Sequence, residues 1–327
     1  MGTGKVRGSG MPALDARRPS DIPMPRQGLD DIVTALCHHC DDSQESILRG
    51  PRRQPLPSRK MVEEIIEDLR SALFPGYFGT SELSKESMRF HVGATLDRVL
   101  RSMKEQVFRG LCFICSQDLG VCDDCDRRAA DITHRFFDRL PEVQRLLTTD
   151  VKATYEGDPA SLNPDETVFC YPGLQAITNY RMAHELYRLN VPVIPRIITE
   201  QAHSLTGIDI HPGATIDEAF FIDHGTGIVI GETARIGKNV RIYQGVTLGA
   251  KSFPVDEHGN PVKGMMRHPI VEDDVVIYSG ATILGRVTIG RGSVIGGNVW
   301  LTHSVPPKSR ISQAQVRHDR FEDGGGI

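Results

Sequence analysis

The chain has 327 residues, of which 24% are charged, and its formal net charge is −4. This length allows two domains with a sizeable core, and the mild charge argues against a nucleic-acid partner or an anionic membrane surface. Because no apolar run reaches transmembrane length and no signal sequence opens the chain, we expect a cytoplasmic protein without a membrane partner.

The first two segments in chain order differ in hydrophobic periodicity. Residues 1–57 have none and are rich in Gly, Pro and Arg, which predicts a flexible N-terminal extension and linker. Residues 58–206 instead carry apolar residues at helical spacing and predict an α-helical domain. Its helices are predicted over residues 58–74, 86–109, 122–140, 141–153, 174–189 and 195–205.

Four cysteines inside this helical region form two C-x-x-C pairs, Cys112 with Cys115 and Cys122 with Cys125. Two such pairs can supply four thiolates to a zinc ion. The gap between them is shorter than in most zinc ribbons, and the flanking sequence is helical in character. Zinc and buried thiols therefore both remain open as interpretations, and we expect no metal to take part in catalysis.

From residue 207 onward, aliphatic residues recur every six positions. Neither the helical period of 3.6 nor the strand period of 2 explains this spacing, whereas a hexapeptide β-helix does. The repeat predicts an α+β chain in which the helices precede a β-helix of parallel strands (207–305), with an inserted loop (250–268) and a flexible tail (306–327). The inward positions are Ile210, Ile216, Ile222, Ile230, Ile236, Ile242, Leu248, Val271, Ile277, Ile283, Ile289, Ile295 and Leu301.

The repeat is interrupted once, between Ile222 and Ile230, which are eight residues apart instead of six. The extra chain falls in residues 223–227, which contain an acid, an imidazole and two glycines that allow the backbone to turn. A regular prism has no structural need for such a kink. The break therefore predicts a functional site around His224.

Several motifs in this region resemble serine O-acetyltransferase, of the hexapeptide acyltransferase superfamily. They are D-I-H-P at 209–212, D-H-x-T-G-I-V-x-G-E at 223–232, G-V-T-L-G at 245–249 and R-H-P at 267–269. The resemblance covers about residues 158–307 and implies a left-handed β-helix that transfers acetyl from acetyl-CoA to the hydroxyl of L-serine, the first step of cysteine biosynthesis. The extended N-terminal half suggests the longer bacterial branch of the family.

The resemblance implies that His224 is the general base and Asp209 its carboxylate partner. Asp209 lies fifteen residues before His224, close to one turn of a three-faced prism, so the two are predicted to stack on neighbouring coils. In that arrangement the carboxylate fixes the imidazole tautomer while His224 removes the serine proton. Acetyl passes directly to serine, without an acyl-enzyme.

The remaining implied site residues divide between the two substrates. Asp158 and Asp223 resemble the acids that hold the serine amine and hydroxyl. Arg267 and His268 resemble the pair that binds the serine carboxylate. Around Gly249 and Ala250, backbone amides are expected to meet the thioester of acetyl-CoA and to stabilise the oxyanion, although the family commonly has a second glycine at position 250.

Partners follow from the same resemblance. Acyltransferases of this type form trimers with active sites at subunit boundaries, and the helical domains can pair trimers into hexamers. The Gly-Gly-Gly-Ile327 terminus implies binding to O-acetylserine sulfhydrylase, because a terminal isoleucine carboxylate can mimic a substrate. The alternative function is a hexapeptide acetyltransferase acting on a sugar or antibiotic hydroxyl, which would not need the charged serine-binding set.

Overall fold

The computed structural model describes residues 26–38, 56–79, 82–114, 123–252 and 254–313. Helix α1 (Arg26–His38) lies within the segment predicted to be flexible and belongs to a compact unit of its own, residues 1–53. Its apolar residues follow helical spacing and are exposed: Leu29, Ile32, Val33 and Leu36. None of the described helices is both long enough and apolar enough to span a membrane.

Six further helices occupy the region predicted to be helical: α2 (Arg59–Leu73), α3 (Lys85–Ile114), α4 (Asp123–Gly157), α5 (Pro164–Cys170), α6 (Pro172–Arg188) and α7 (Ile194–Thr206). The predicted break at Pro141 is wrong, because α4 continues through this proline. The proline removes one helical hydrogen bond. Leu140, Val143 and Leu147 are nevertheless buried in one core, and their burial holds both halves of the helix on a single axis.

The second half of the chain is a parallel β-helix, as its six-residue period predicts. Most strands pair with the strand three places later in the chain, so the coils form three parallel sheets. We name them sheet 1 (β1-β4-β7-β10-β13), sheet 2 (β2-β5-β8-β11) and sheet 3 (β3-β6-β9-β12-β14). The strands are β1 (Asp209–Ile210), β2 (Thr215–Ile216), β3 (Phe221–Asp223), β4 (Val229–Ile230), β5 (Arg235–Ile236), β6 (Arg241–Tyr243), β7 (Thr247–Gly249), β8 (Ile270–Val271), β9 (Val276–Ile277), β10 (Thr282–Leu284), β11 (Thr288–Ile289), β12 (Val294–Ile295), β13 (Trp300–Leu301) and β14 (Arg310–Ile311).

The inward positions predicted from the period are all buried in the prism core. The break in the period is also present. Asp209 pairs with Val229, 20 residues later, whereas Val229 pairs with Thr247, 18 residues later. The first coil therefore contains two more residues than the next one, and the array continues past residue 305 because β14 pairs with β12.

The helices pack directly on the first coil, because α4 and α6 contact β3 and α7 contacts β1. The described helices from α2 onward and the prism therefore belong to one unit. Arg181 on α6 and Asp150 on α4 form a buried ion pair, with side chains 3% and 0% exposed. Arg181 also donates to the carbonyl oxygens of Ile216 and Asp217, and Asp150 accepts from the Phe220 N–H. These bonds fix the end of α4 relative to sheet 3.

Candidate active site

Residues 223–227 form a turn between β3 and β4, here called the His224 corner. His224 has a φ of 56° and Gly225 a φ of 89°, both in the left-handed region. A Cβ on Gly225 would lie 2.4 Å from the Ile208 side chain, so only glycine fits there. The turn directs the His224 side chain outward, 73% exposed, with Nδ1 3.9 Å from the Asp223 carboxylate.

Asp209 lies on the strand next to the His224 corner, but it does not stack on His224 one coil later, as the sequence predicted. The residue one coil after Asp209 is Val229, so the spacing of fifteen residues is not one turn of the prism and the stacking argument is wrong. The corner nevertheless packs against the chain that enters β1, because the Gly227 N–H donates to the Gly207 oxygen over 2.8 Å. The dyad of Asp209 and His224 remains a prediction.

Asp209 also belongs to a group of three side chains that could hold a metal ion. Its carboxylate and the donor atoms of Glu200 and His203 on α7 lie within 4.8 Å of one another. Arg196 is already paired with Glu200 at 2.7 Å, and a cation so close opposes metal binding. Of the predicted zinc ligands, Cys115 and Cys122 fall outside the described residues.

Asp158 follows the end of α4 and is brought to the His224 corner by a close packing contact. A Cβ on Gly157 would lie 2.7 Å from both the Phe221 ring and an Arg241 nitrogen, so the missing side chain lets α4 end directly against sheet 3. The Tyr171 hydroxyl and the Ala160 N–H each donate to the Asp158 carboxylate. These two bonds lower its pKa, with smaller contributions from the charges of His224 and Arg241.

A second turn, here called the Arg267 corner, lies where sheet 1 passes into sheet 2. Arg267 pairs with Glu232 at 2.9 Å, and its backbone N–H donates to the Thr233 hydroxyl. The Arg267 Nε–H is buried and has no acceptor among the described residues. Beside it is an opening of about 470 Å³, lined by Glu232, Pro261, Val262, Lys263, Gly264 and Arg267. Because the Arg267 side chain lines this opening, its positive charge favours a carboxylate ligand there.

His268 lies in the interior of this corner, only 6% exposed. Its Nδ1 accepts from the Thr233 N–H, which leaves the second ring nitrogen as the N–H donor. Burial, followed by the charge of Arg267, lowers the pKa of His268 to about 4. His268 is therefore neutral near pH 7 and can offer serine a hydrogen bond but not a charge.

Acid is expected to weaken the fold through His268. The unfolded chain takes up a proton near pH 6.5, whereas the folded protein resists protonation down to about pH 4. The stabilisation is complete above pH 6.5 and is lost as the pH falls towards 4, by up to about 3 kcal/mol. Urea unfolding of wild type and His268→Asn between pH 7 and 4.5 checks this prediction. Parallel pH dependences for the two proteins would contradict it.

Gly249 and Ala250, expected to meet the thioester, end β7 at the Arg267 corner. Gly249 pairs with Leu284 on the next coil, and the Gly231 N–H of the preceding coil donates to the Leu248 oxygen. Ala250 is not among the described residues with positive φ, so its methyl group introduces no backbone strain. The alanine is therefore compatible with a backbone amide donor at this position.

The two corners lie at opposite edges of sheet 1. His224 precedes β4 and Glu232 follows it, so about six residues of extended chain, or roughly 20 Å, separate the corners within one chain. The structure thus brings together Asp158, Asp223 and His224 on one side, with Asp209 on the strand that pairs with β4 next to this corner. It places Arg267, His268, Gly249 and Ala250 on the other. A molecule as small as serine cannot reach both sets in a single chain.

Sequence reasoning missed two polar residues that contact the predicted site residues. Glu232 stands in the 223–232 motif, and its pairing with Arg267 could have been anticipated from opposite charge alone. Tyr171 carried no signal, because its contact with Asp158 depends on how α5 and α6 meet.

Comparisons with known proteins identify the family to which the chain is similar. Residues 268–303 match the family model described as bacterial transferase hexapeptide (six repeats). A plasmid-encoded serine acetyltransferase of Synechococcus elongatus is 54% identical over 304 residues, which cover 92% of this chain and 95% of the relative. The Bacillus subtilis serine acetyltransferase is 44% identical over 167 residues, 51% of this chain and 73% of its own.

A solved structure extends the similarity to nearly the whole chain. Serine acetyltransferase 1 of Entamoeba histolytica, in complex with L-cysteine, superposes with a TM-score of 0.67 at 33% identity. The match covers 88% of this chain and 100% of that protein. Together with the hexapeptide match, it identifies the parallel β-helix of this chain as the left-handed, hexapeptide-repeat type. On the strength of the relative that matches at 54% identity almost from end to end, the chain belongs to the serine acetyltransferase family.

Proposed function

We propose that the chain transfers acetyl from acetyl-CoA to the hydroxyl of L-serine, at a site formed by the His224 corner of one subunit and the Arg267 corner of the next. One observation carries this proposal. The two-residue expansion of the first coil turns His224 outward, beside the carboxylates of Asp158 and Asp223.

Charge complementarity supports serine as the acceptor. The carboxylates of Asp158 and Asp223 match its ammonium group, and the guanidinium charge of Arg267, which lines the opening, matches its carboxylate. A sugar or antibiotic hydroxyl would offer these groups no opposite charge. The charged set therefore favours an amino acid over the alternative acceptors.

The chemistry follows from where these groups stand. His224 takes the hydroxyl proton as the serine oxygen forms its bond to the thioester carbon, and Asp209 stabilises the resulting imidazolium. Backbone amides at Gly249 and Ala250 are the proposed donors to the oxyanion. As the carbon–sulfur bond breaks, the proton on His224 passes to the leaving thiolate, which yields O-acetylserine and CoA. No metal is needed in this sequence of steps.

A homotrimer is the assembly that joins the two corners. In a threefold ring each subunit presents its His224 corner to one neighbour and its Arg267 corner to the other, which closes three equivalent sites. Pairing of two trimers through the helical domains, to give a hexamer, is a further proposal. The contact with O-acetylserine sulfhydrylase through Ile327 lies outside the described residues and remains a prediction.

Mixing two inactive variants tests the shared site. His224→Asn and Arg267→Gln chains are each expected to be nearly inactive, whereas the whole population of trimers formed by co-refolding equal amounts of the two should recover about one quarter of wild-type activity. This fraction arises because three quarters of randomly mixed trimers contain one intact site out of three. The measurement is thiol release from acetyl-CoA in the presence of L-serine.

A matched control uses two substitutions on the same corner. Mixed trimers of His224→Asn and Asp223→Asn contain no intact His224 corner, so they should stay inactive. If the first mixture also remains inactive although both chains assemble into mixed trimers, the site lies within one subunit and the shared-site proposal fails.

A further inference from the structure

Tyr171 occupies the single residue between α5 and α6. Its N–H donates to the Thr167 oxygen and closes α5, while its own carbonyl oxygen accepts from Leu174 at the start of α6. These bonds involve only the backbone, so they do not depend on the tyrosine side chain. The side chain is partly buried and extends towards Asp158.

The Tyr171 hydroxyl donates to Asp158 Oδ2 over 2.5 Å. The other carboxylate oxygen, Oδ1, accepts from the Ala160 N–H over 2.8 Å. Each oxygen of a carboxylate has two lone pairs, so both retain one for a ligand. With one bond to each oxygen, the plane of the carboxylate is fixed before any substrate arrives.

The surroundings of Tyr171 and Asp158 keep the phenol protonated and the carboxylate ionised. Burial and the Asp158 carboxylate raise the pKa of Tyr171 to about 12, so the phenol remains a donor. The pKa of Asp158 is lowered, first by Tyr171 and then by the Ala160 N–H. The pair is thus a neutral donor and an ionised acceptor throughout the neutral range.

We propose that Tyr171 is a positioning residue for serine recognition, holding the Asp158 carboxylate so that its free lone pairs face the serine ammonium group. The inference rests on the proposed role of Asp158. Tyr171 acts through Asp158 and does not touch the reacting atoms, so its contribution is to the binding of the amine and not to the transfer of acetyl.

Tyr171→Phe removes the hydroxyl and keeps the ring. The KM for L-serine should rise about tenfold, the loss expected for one hydrogen bond to a charged group, while kcat stays within about threefold. The KM for acetyl-CoA should not change. In the Asp158→Asn background, Tyr171→Phe should have no further effect on the KM for serine, because the carboxylate through which Tyr171 acts on serine is already absent.

Tyr77→Phe is the matched control. The Tyr77 hydroxyl donates to Asp165 on α5, so this variant breaks another tyrosine–aspartate hydrogen bond of the same region without touching Asp158. It should leave the KM for serine at the wild-type value. Thermal unfolding of each variant is compared with wild type, so that a folding defect is recognised directly.

The split between KM and kcat is the readout that a purely structural role would not produce, because a loosened fold would lower kcat as well. If Asp158→Asn raises the KM but Tyr171→Phe leaves it unchanged, the inference is overturned and the proposed function stands. If Asp158→Asn itself leaves the KM for serine unchanged, both the proposed role of Asp158 and the inference about Tyr171 are wrong.

Discussion

Replacing His224 with asparagine is expected to lower kcat for serine acetylation by about 10²–10⁴-fold. The general base acts as the serine proton is transferred, so its loss raises the barrier of the chemical step and leaves the KM for serine little changed. Asparagine is the informative replacement because it tolerates the left-handed φ of 56° at this position better than most residues. The fold of the corner is therefore retained.

Steady-state thiol release measures this effect, with His303→Asn as the control. His303 is exposed and lies outside the strands, in the segment that follows β13 near the end of the β-helix. Its replacement should leave kcat at the wild-type value. A kcat for His224→Asn within threefold of wild type would remove His224 from the mechanism.

The second large effect concerns stability. Asp150→Asn should lower the free energy of unfolding by about 3–5 kcal/mol, because it leaves the Arg181 guanidinium buried without its counter-charge. Arg181 bonds to both Asp150 oxygens, at 2.6 and 2.8 Å. Because its side chain is only 3% exposed, water cannot take the place of the lost carboxylate. The pair also fixes the end of α4, from which Asp158 emerges.

Urea denaturation provides the measurement, and an exposed pair provides the control. Arg59 and Glu63 form a surface ion pair on α2, with side chains 61% and 36% exposed. Glu63→Gln should change the free energy of unfolding by less than about 1 kcal/mol. A similarly small change for Asp150→Asn would mean that the first coil and the helices are not coupled through this pair.

The β-helix could be predicted because its signal is local and repeated. Each inward residue, from Ile210 to Leu301, occupies the same place in a six-residue unit, so an error at one position does not spread to the others. The eight-residue step between Ile222 and Ile230 was visible for the same reason. The two glycines in that step predict a turn, and the structure shows that the turn uses left-handed φ values.

Features that depend on packing between distant elements could not be predicted in this way. The spacing of Asp209 and His224 was misjudged because a regular coil takes three six-residue steps, or 18 residues, and the first coil takes 20, so fifteen residues fall short of one coil. The break at Pro141 was wrong because core burial outweighs one lost hydrogen bond. Tyr171 bonds to Asp158, 13 residues away in sequence, and Arg181 bonds to Asp150, 31 residues away. No periodic pattern in the sequence predicts either contact.

The most direct measurement is product formation by the purified full-length chain from acetyl-CoA and three matched acceptors. L-Serine has the hydroxyl, amine and carboxylate; L-alanine lacks the hydroxyl; and glycerate has a hydroxyl in place of the amine. We expect O-acetylserine and free CoA in equal amounts from serine alone, with His224→Asn as the inactive blank. Acetylation of glycerate as efficiently as serine, or a kcat for His224→Asn within threefold of wild type, would contradict an imidazole base acting on an amino-acid hydroxyl held by its charges.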